Sequence, residues 1–219
     1  MLASAAGAEE GMLEEEHRHL IDEECGVFGV MGHEEASNIA YLGLHALQHR
    51  GQEACGIATL DGERVMIQRR RGLVSEAFEQ NTLAELEGDT AIGHVRYSTA
   101  GSSSIRNAQP IKVGTKFGTL ALAHNGNLTN ALTLRKKFEG SGSIFATESD
   151  TEVIAHLVAR SYGGDMREAV VDALRQVKGA FSLVGLTREF MFALRDPHGV
   201  RPLVIGHLNA PRVVASESS

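Results

Sequence analysis

Two cysteines, Cys25 and Cys55, are all that the 219 residues contain. That is too few for a disulfide framework, and reduced thiols fit a cytoplasmic protein. Basic residues are in deficit: 21 Lys and Arg stand against 28 Asp and Glu, for a formal net charge of -7. This excludes a nucleic-acid surface spread over the molecule. The one dense basic run, Arg69-Arg70-Arg71 before Gly72, reads as a solvated strand end or turn, with a phosphate contact as the alternative. No apolar run approaches the ~20 residues of a membrane span. A phosphate-binding loop, another Gly-rich phosphate motif and an internal repeat are all missing, and 24 glycines alone do not supply one. Met1 to Glu24 has no basic stretch followed by an apolar one, so it does not read as a secretory signal.

What remains is ordinary globular composition, 42% hydrophobic and 22% charged, enough for one domain with a real core or at most two small ones. Residues 1–24 are crowded with acid (Glu9, Glu10, Glu14, Glu15, Glu16, Asp22, Glu23, Glu24) and read as a solvated leader. From Cys25 the pattern changes to folded sequence. Cys25–Met31 reads as a buried strand and Ala36–Gln48 as a helix. Ala54–Leu60 and Arg64–Gln68 read as strands turning at Asp61-Gly62. Ala91–Tyr97 and Thr119–Asn125 are further strands, and Ala100–Pro110 reads as a mobile Gly/Ser-rich loop. Ser149 and Glu152 have the spacing of a capping box ahead of a helix, and a second helix follows from Met166. Ala180–Leu186, Phe190–Leu194, Leu203–Gly206 and Arg212–Ala215 close the chain as strands. Strands in neighbouring pairs with paired helices between them predict α+β with antiparallel sheets.

Cys25 stands where acidic leader meets apolar strand. Cleavage before it would make it a chain start, carrying a thiol and an α-amine in one residue. Both groups change protonation near neutral pH, with reference values of about 8.5 and about 8. The plainer reading is a buried cysteine that opens a strand. Cys55 reads as packing. Polar clusters at strand ends favour the first reading of Cys25. Hydrolysis of a side-chain amide needs donors facing an oxyanion, and the side chain of Asn125 with the backbone N–H of Gly126 could supply them. An α-amino-acid substrate needs a cation for its carboxylate and an anion for its ammonium, and Arg96 and Asp150 suit those roles. Taken singly, Asn125-Gly126 is a turn, Arg96 a surface ion pair and Asp150 a helix-start charge. His94 and His124 read as hydrogen-bonded core groups. His45 and His49 lack a third metal ligand at a recognisable spacing.

The order Cys25-Gly26, His49-Arg50-Gly51, His94-Val95-Arg96-Tyr97-Ser98-Thr99, His124-Asn125-Gly126-Asn127 and Ser149-Asp150-Thr151-Glu152 resembles the class II glutamine amidotransferases, which are N-terminal-nucleophile hydrolases. Gly43 to Glu53, Asn107-Ala108-Gln109-Pro110, Arg195 to Leu203 and Val214 to Ser218 make it most similar to the amidophosphoribosyltransferase family. The resemblance covers residues 25–219. It implies a four-layer αββα sandwich of two antiparallel sheets. It implies glutamine hydrolysis through a thioester on Cys25, with Asn125 and Gly126 as oxyanion hole and Arg50 and Gly51 in a loop beside the nucleophile. It implies glutamine binding by Arg96, Tyr97 and Asp150, and removal of residues 1–24 as a propeptide. The family's phosphoribosyltransferase half is absent, so the chain reads as a fragment, at most a glutaminase. The whole enzyme would pass ammonia to phosphoribosyl pyrophosphate, giving 5-phosphoribosylamine, the first step of purine synthesis. No cofactor is expected within this chain. Mg2+ and a 4Fe-4S cluster would belong to the missing half, and the full-length enzyme would be a homo-oligomer. The alternatives are the glutaminase domain of another amidotransferase, such as glucosamine-6-phosphate synthase, or an unprocessed fragment that binds glutamine without hydrolysing it.

Overall fold

A computed structural model describes residues 25–97, 104–208 and 211–218. The leader expected over 1–24 lies outside the described residues, as does part of the Gly/Ser-rich loop. Ten strands form two wholly antiparallel sheets. β1 (Gly26–Met31), β2 (Ala54–Asp61), β3 (Arg64–Arg71), β4 (Thr90–Arg96), β9 (Val204–His207) and β10 (Arg212–Ala215) make the first, in the order β3-β2-β4-β1-β10-β9. β5 (Ile111–Thr115), β6 (Gly118–Leu128), β7 (Gly179–Leu186) and β8 (Met191–Arg195) make the second, in sequence order.

Side-chain alternation on these strands builds three apolar layers. Val27, Ala58 and Ile92 of the first sheet meet Ala121, Ala123, Val184 and Leu186 of the second. The outer face of the first sheet is covered by α1 (Ala36–Ala46), α2 (Val74–Ala77) and α3 (Gln80–Ala84). That of the second is covered by α4 (Ala131–Gly140), α5 (Asp150–Ser161) and α6 (Met166–Leu174). The expected αββα sandwich is therefore the observed architecture. α1 follows its sequence pattern, burying Ala36, Ala40 and Leu44 four residues apart. Its Gly43 lies so close to Phe28 that an added Cβ would stand 2.4 Å from the ring.

Several expectations shift. The β2–β3 turn moves by one residue: Asp61 pairs with Arg64, and Gly62 opens the two-residue loop with a φ of 56°. The helix predicted to Gln48 ends as a 3-10 turn over Leu47–Arg50. The capping box does not close. Ser149 caps α5 by accepting from Thr151 N, but the Glu152 carboxylate reaches further back, to Ala146 N at 2.9 Å and Thr147 N at 2.7 Å. The basic run is not wholly solvated, because Arg69 donates to the Ala108 carbonyl at 2.9 Å. The second half of the predicted mobile loop is fixed, with Asn107, Ala108 and Gln109 buried.

Candidate active site

Cys25 sits at the start of β1, a central strand held between β4 and β10. Its backbone is clamped at both ends by Arg50: Cys25 N donates to the Arg50 carbonyl at 2.9 Å, and Arg50 Nε donates to the Cys25 carbonyl at 3.0 Å. Arg50 is itself buried and bonded through Nη1 to Glu217 at 3.1 Å. Gly51 packs on the β4 backbone, where a Cβ would stand 2.7 Å from the Arg96 carbonyl carbon. Only glycine lets the Arg50 loop approach this closely. Cys25 has a φ of 78°, the sole left-handed non-glycine among the described residues. Its Sγ points at the Tyr97 carbonyl, 3.7 Å away.

The thiol opens onto a pocket of about 430 Å3. Four of the residues singled out from the sequence line it: Cys25, Arg96, Gly126 and Asp150. Arg96, at the end of β4, is braced by Glu53 at 3.1 Å. Asp150 is the first residue of α5. Its Oδ1 stands 3.3 Å from His124 Nδ1, and its Oδ2 accepts from Leu128 N at 3.1 Å. Burial pushes its carboxyl up, but the His124 charge and hydrogen bonds from His124, Leu128 and Thr151 outweigh this and hold it below the usual carboxylate range. It therefore stays an anion at neutral pH. Cation and anion thus line one pocket with the Cys25 thiol.

Four of the expected residues do not line the pocket. Arg50 and Gly51 lie behind Cys25, and Tyr97 offers its carbonyl while about half its surface faces outward. Asn125 is fully buried, on the sheet face that alternation assigns to Ala121 and Ala123. The Asn125-Gly126 pair is no turn. β6 runs straight through it, pairing Asn125 with Ser182 and Gly126 with Phe181. Gly126 has a φ of 147°, and a Cβ there would stand 2.1 Å from the Ala180 carbonyl oxygen.

The structure adds residues that local sequence signals miss. Asn107, Gln109, Asn127 and Glu148 line the same pocket. Asn107 Oδ1 accepts from Glu148 N at 3.1 Å, and Gln109 Oε1 accepts from His124 N at 2.7 Å. These two side chains tie the loop before β5 to strand β6 and to the segment that leads into α5. Only the family-like run Asn107-Ala108-Gln109-Pro110 points to them; composition reads as mobile loop. His94 is a core group as expected, wholly buried with Nε2 3.1 Å from the His124 carbonyl. Among the described residues, no group of three or more His, Cys, Asp or Glu could hold a metal ion.

A two-sheet αββα sandwich with a cysteine at the head of a central strand has the architecture of an N-terminal-nucleophile hydrolase. The chain belongs to the family of glutamine amidotransferase domains, whose sequence model matches residues 94–219. It is 48% identical over 199 residues to the amidophosphoribosyltransferase of Rhizobium etli, a match that takes in 90% of this chain and 40% of that protein. It is 52% identical over 198 residues to the chloroplastic amidophosphoribosyltransferase 2 of Arabidopsis thaliana, covering 90% of this chain and 35% of the relative. The crystallised glutamine phosphoribosylpyrophosphate amidotransferase of B. subtilis, complexed with ADP and GMP, superposes with a TM-score of 0.83 at 47% identity, over 88% of this chain and 42% of that one. The chain thus spans well under half the length of these relatives.

Proposed function

We propose that residues 25–219 hydrolyse the side-chain amide of glutamine on Cys25. Removal of residues 1–24 would free its α-amine. The observation that carries this reading is the single pocket in which the Cys25 thiol meets a cation, Arg96, and an anion, Asp150. That pairing suits the carboxylate and ammonium of a free α-amino acid.

The chemistry follows from the positions. The α-amine takes the thiol proton, and Sγ bonds to the amide carbon, placing negative charge on its oxygen. Gly126 N–H and the Asn125 amide stabilise that oxyanion, each at about 3–4 kcal/mol. The carbon–nitrogen bond breaks, the amine returns its proton to the leaving nitrogen, and ammonia departs. Water then opens the thioester, giving glutamate and the free thiol. Arg50 holds the Cys25 backbone while this happens, Gly51 lets the Arg50 loop lie close on β4, and Tyr97 borders the thiol through its carbonyl.

In a longer protein like the relatives, the ammonia would aminate phosphoribosyl pyrophosphate to 5-phosphoribosylamine. Such a protein would be a cytoplasmic homo-oligomer. Mg2+ and an iron–sulfur cluster would belong to that longer protein's further half. Support comes from the identity of about half over nine-tenths of this chain.

The test is ammonia release from glutamine by chain whose N-terminus has been sequenced as Cys25. Cys25→Ala is expected to reduce release to background; retained turnover would remove Cys25 from the mechanism.

A further inference from the structure

Asn125 and Ser182 face each other directly across the β6–β7 ladder. Both are wholly buried. Alternation points them, with Ala121, Ala123, Val184 and Leu186, into the layer between the sheets. In that apolar layer Asn125 Nδ2, Asn125 Oδ1 and Ser182 Oγ all lack hydrogen-bond partners among the described residues. Buried polar groups are rarely left so. Directly opposed residues have Cβ atoms about 4.5–5.5 Å apart, which a hydroxyl and an amide span by a rotamer change or one water.

We infer that Ser182 is a positioning residue for Asn125, its hydroxyl donating to Oδ1 so that the Nδ2–H is turned toward the Cys25 end of β1. The inference rests on the proposed role of Asn125 as an oxyanion donor. An unanchored amide could present either end to the oxyanion, and the oxygen end would repel it. Among the described residues of this layer, His94 Nδ1 also lacks a partner. Its Nε2 faces the His124 carbonyl at 3.1 Å, so the neutral ring carries its proton there. Burial lowers its pKa to about 3, against a weaker pull upward from that backbone bond. Nδ1 is then a bare acceptor. It cannot donate to Oδ1, whereas the Ser182 hydroxyl can.

The experiment is steady-state glutaminase kinetics on the Cys25-initiated chain with Asn125→Ala, Ser182→Ala, both together, and Ser182→Thr. Ser182→Ala is expected to lower kcat about tenfold with KM nearly unchanged, since loss of a whole oxyanion donor costs about 100-fold or more. The double variant should be no slower than Asn125→Ala alone, and Ser182→Thr, which keeps the hydroxyl, should recover most of the rate. Wild-type kcat in Ser182→Ala, with a raised thermal midpoint, would make Ser182 a mere orphan hydroxyl and overturn the inference. So would a further loss in the double variant. If Asn125→Ala itself keeps full kcat, the oxyanion role fails and takes this inference with it. Should Ser182→Ala not fold, Ser182→Cys must still slow turnover, and unchanged kcat there is equally fatal.

Discussion

Burial pushes the Cys55 thiol up to about 12, with the Arg70 charge pulling less strongly the other way. Cys55 is therefore a thiol, not a thiolate, at any ordinary pH, and it is shut inside the core. Cys25 borders an open pocket. Iodoacetamide at pH 8 should add to one cysteine of the folded chain, and peptide mapping should find it on Cys25. Urea should expose the second. A native double adduct would contradict the burial of Cys55. His94 makes a second prediction at this scale. Its pKa falls from 6.5 to about 3 on folding, first because burial penalises the charged ring. Between those values the unfolded chain binds the proton that the folded one refuses. His94 therefore adds stability that is full above about pH 6.5 and fades as the pH falls toward 3. The thermal midpoint should drop from pH 7 to pH 5, and His94→Gln should flatten that dependence. An unchanged slope would mean the unfolded chain perturbs His94 as much as the fold does.

Elements differ in how legibly the sequence carries them. α1 and α5 were readable because one apolar face repeats at helical spacing, and the β2–β3 hairpin because Asp61-Gly62 is a turn signal between two strand-like runs. α4 was not, since of its ten residues only Phe138 is buried. The site strand β6 was read as far as Asn125, and its last three residues were hidden for another reason. Asn-Gly is a turn signal locally, and here the pairing of Asn125, Gly126 and Asn127 with Ser182, Phe181 and Ala180 overrides it. Cys25, Arg96, Gly126 and Asp150 could be singled out by chemical type and order. Asn107 and Gln109 could not, because what they do, tying a loop to His124 and Glu148, is a property of tertiary contact. The tightness of β6 predicts that Gly126→Ala will be severe. The new methyl would clash with the Ala180 carbonyl at 2.1 Å and sit at a φ of 147°. A loss of about 3 kcal/mol or more, read by urea denaturation, is expected. A variant of wild-type stability would show that the β6–β7 pair can spread.

For the molecule as a whole, β1 takes one partner from the middle of the chain, β4, and one from residues 212–215, β10. Ser216 Oγ then accepts from Val27 N at 2.9 Å, and Glu217 steadies the Arg50 that holds Cys25. β1 is thus fastened by backbone 189 residues further along the chain. Contacts of such sequence separation close late, because the intervening chain must be ordered first. Deleting residues 212–218 should abolish cooperative unfolding and ammonia release together; a truncated chain that still turned over glutamine would show that β4 alone suffices. On the ribosome, the cysteine emerges long before the residues that fasten its strand. A half-made chain carries Cys25 without its frame, so the proposed turnover would have to wait until synthesis has passed residue 217.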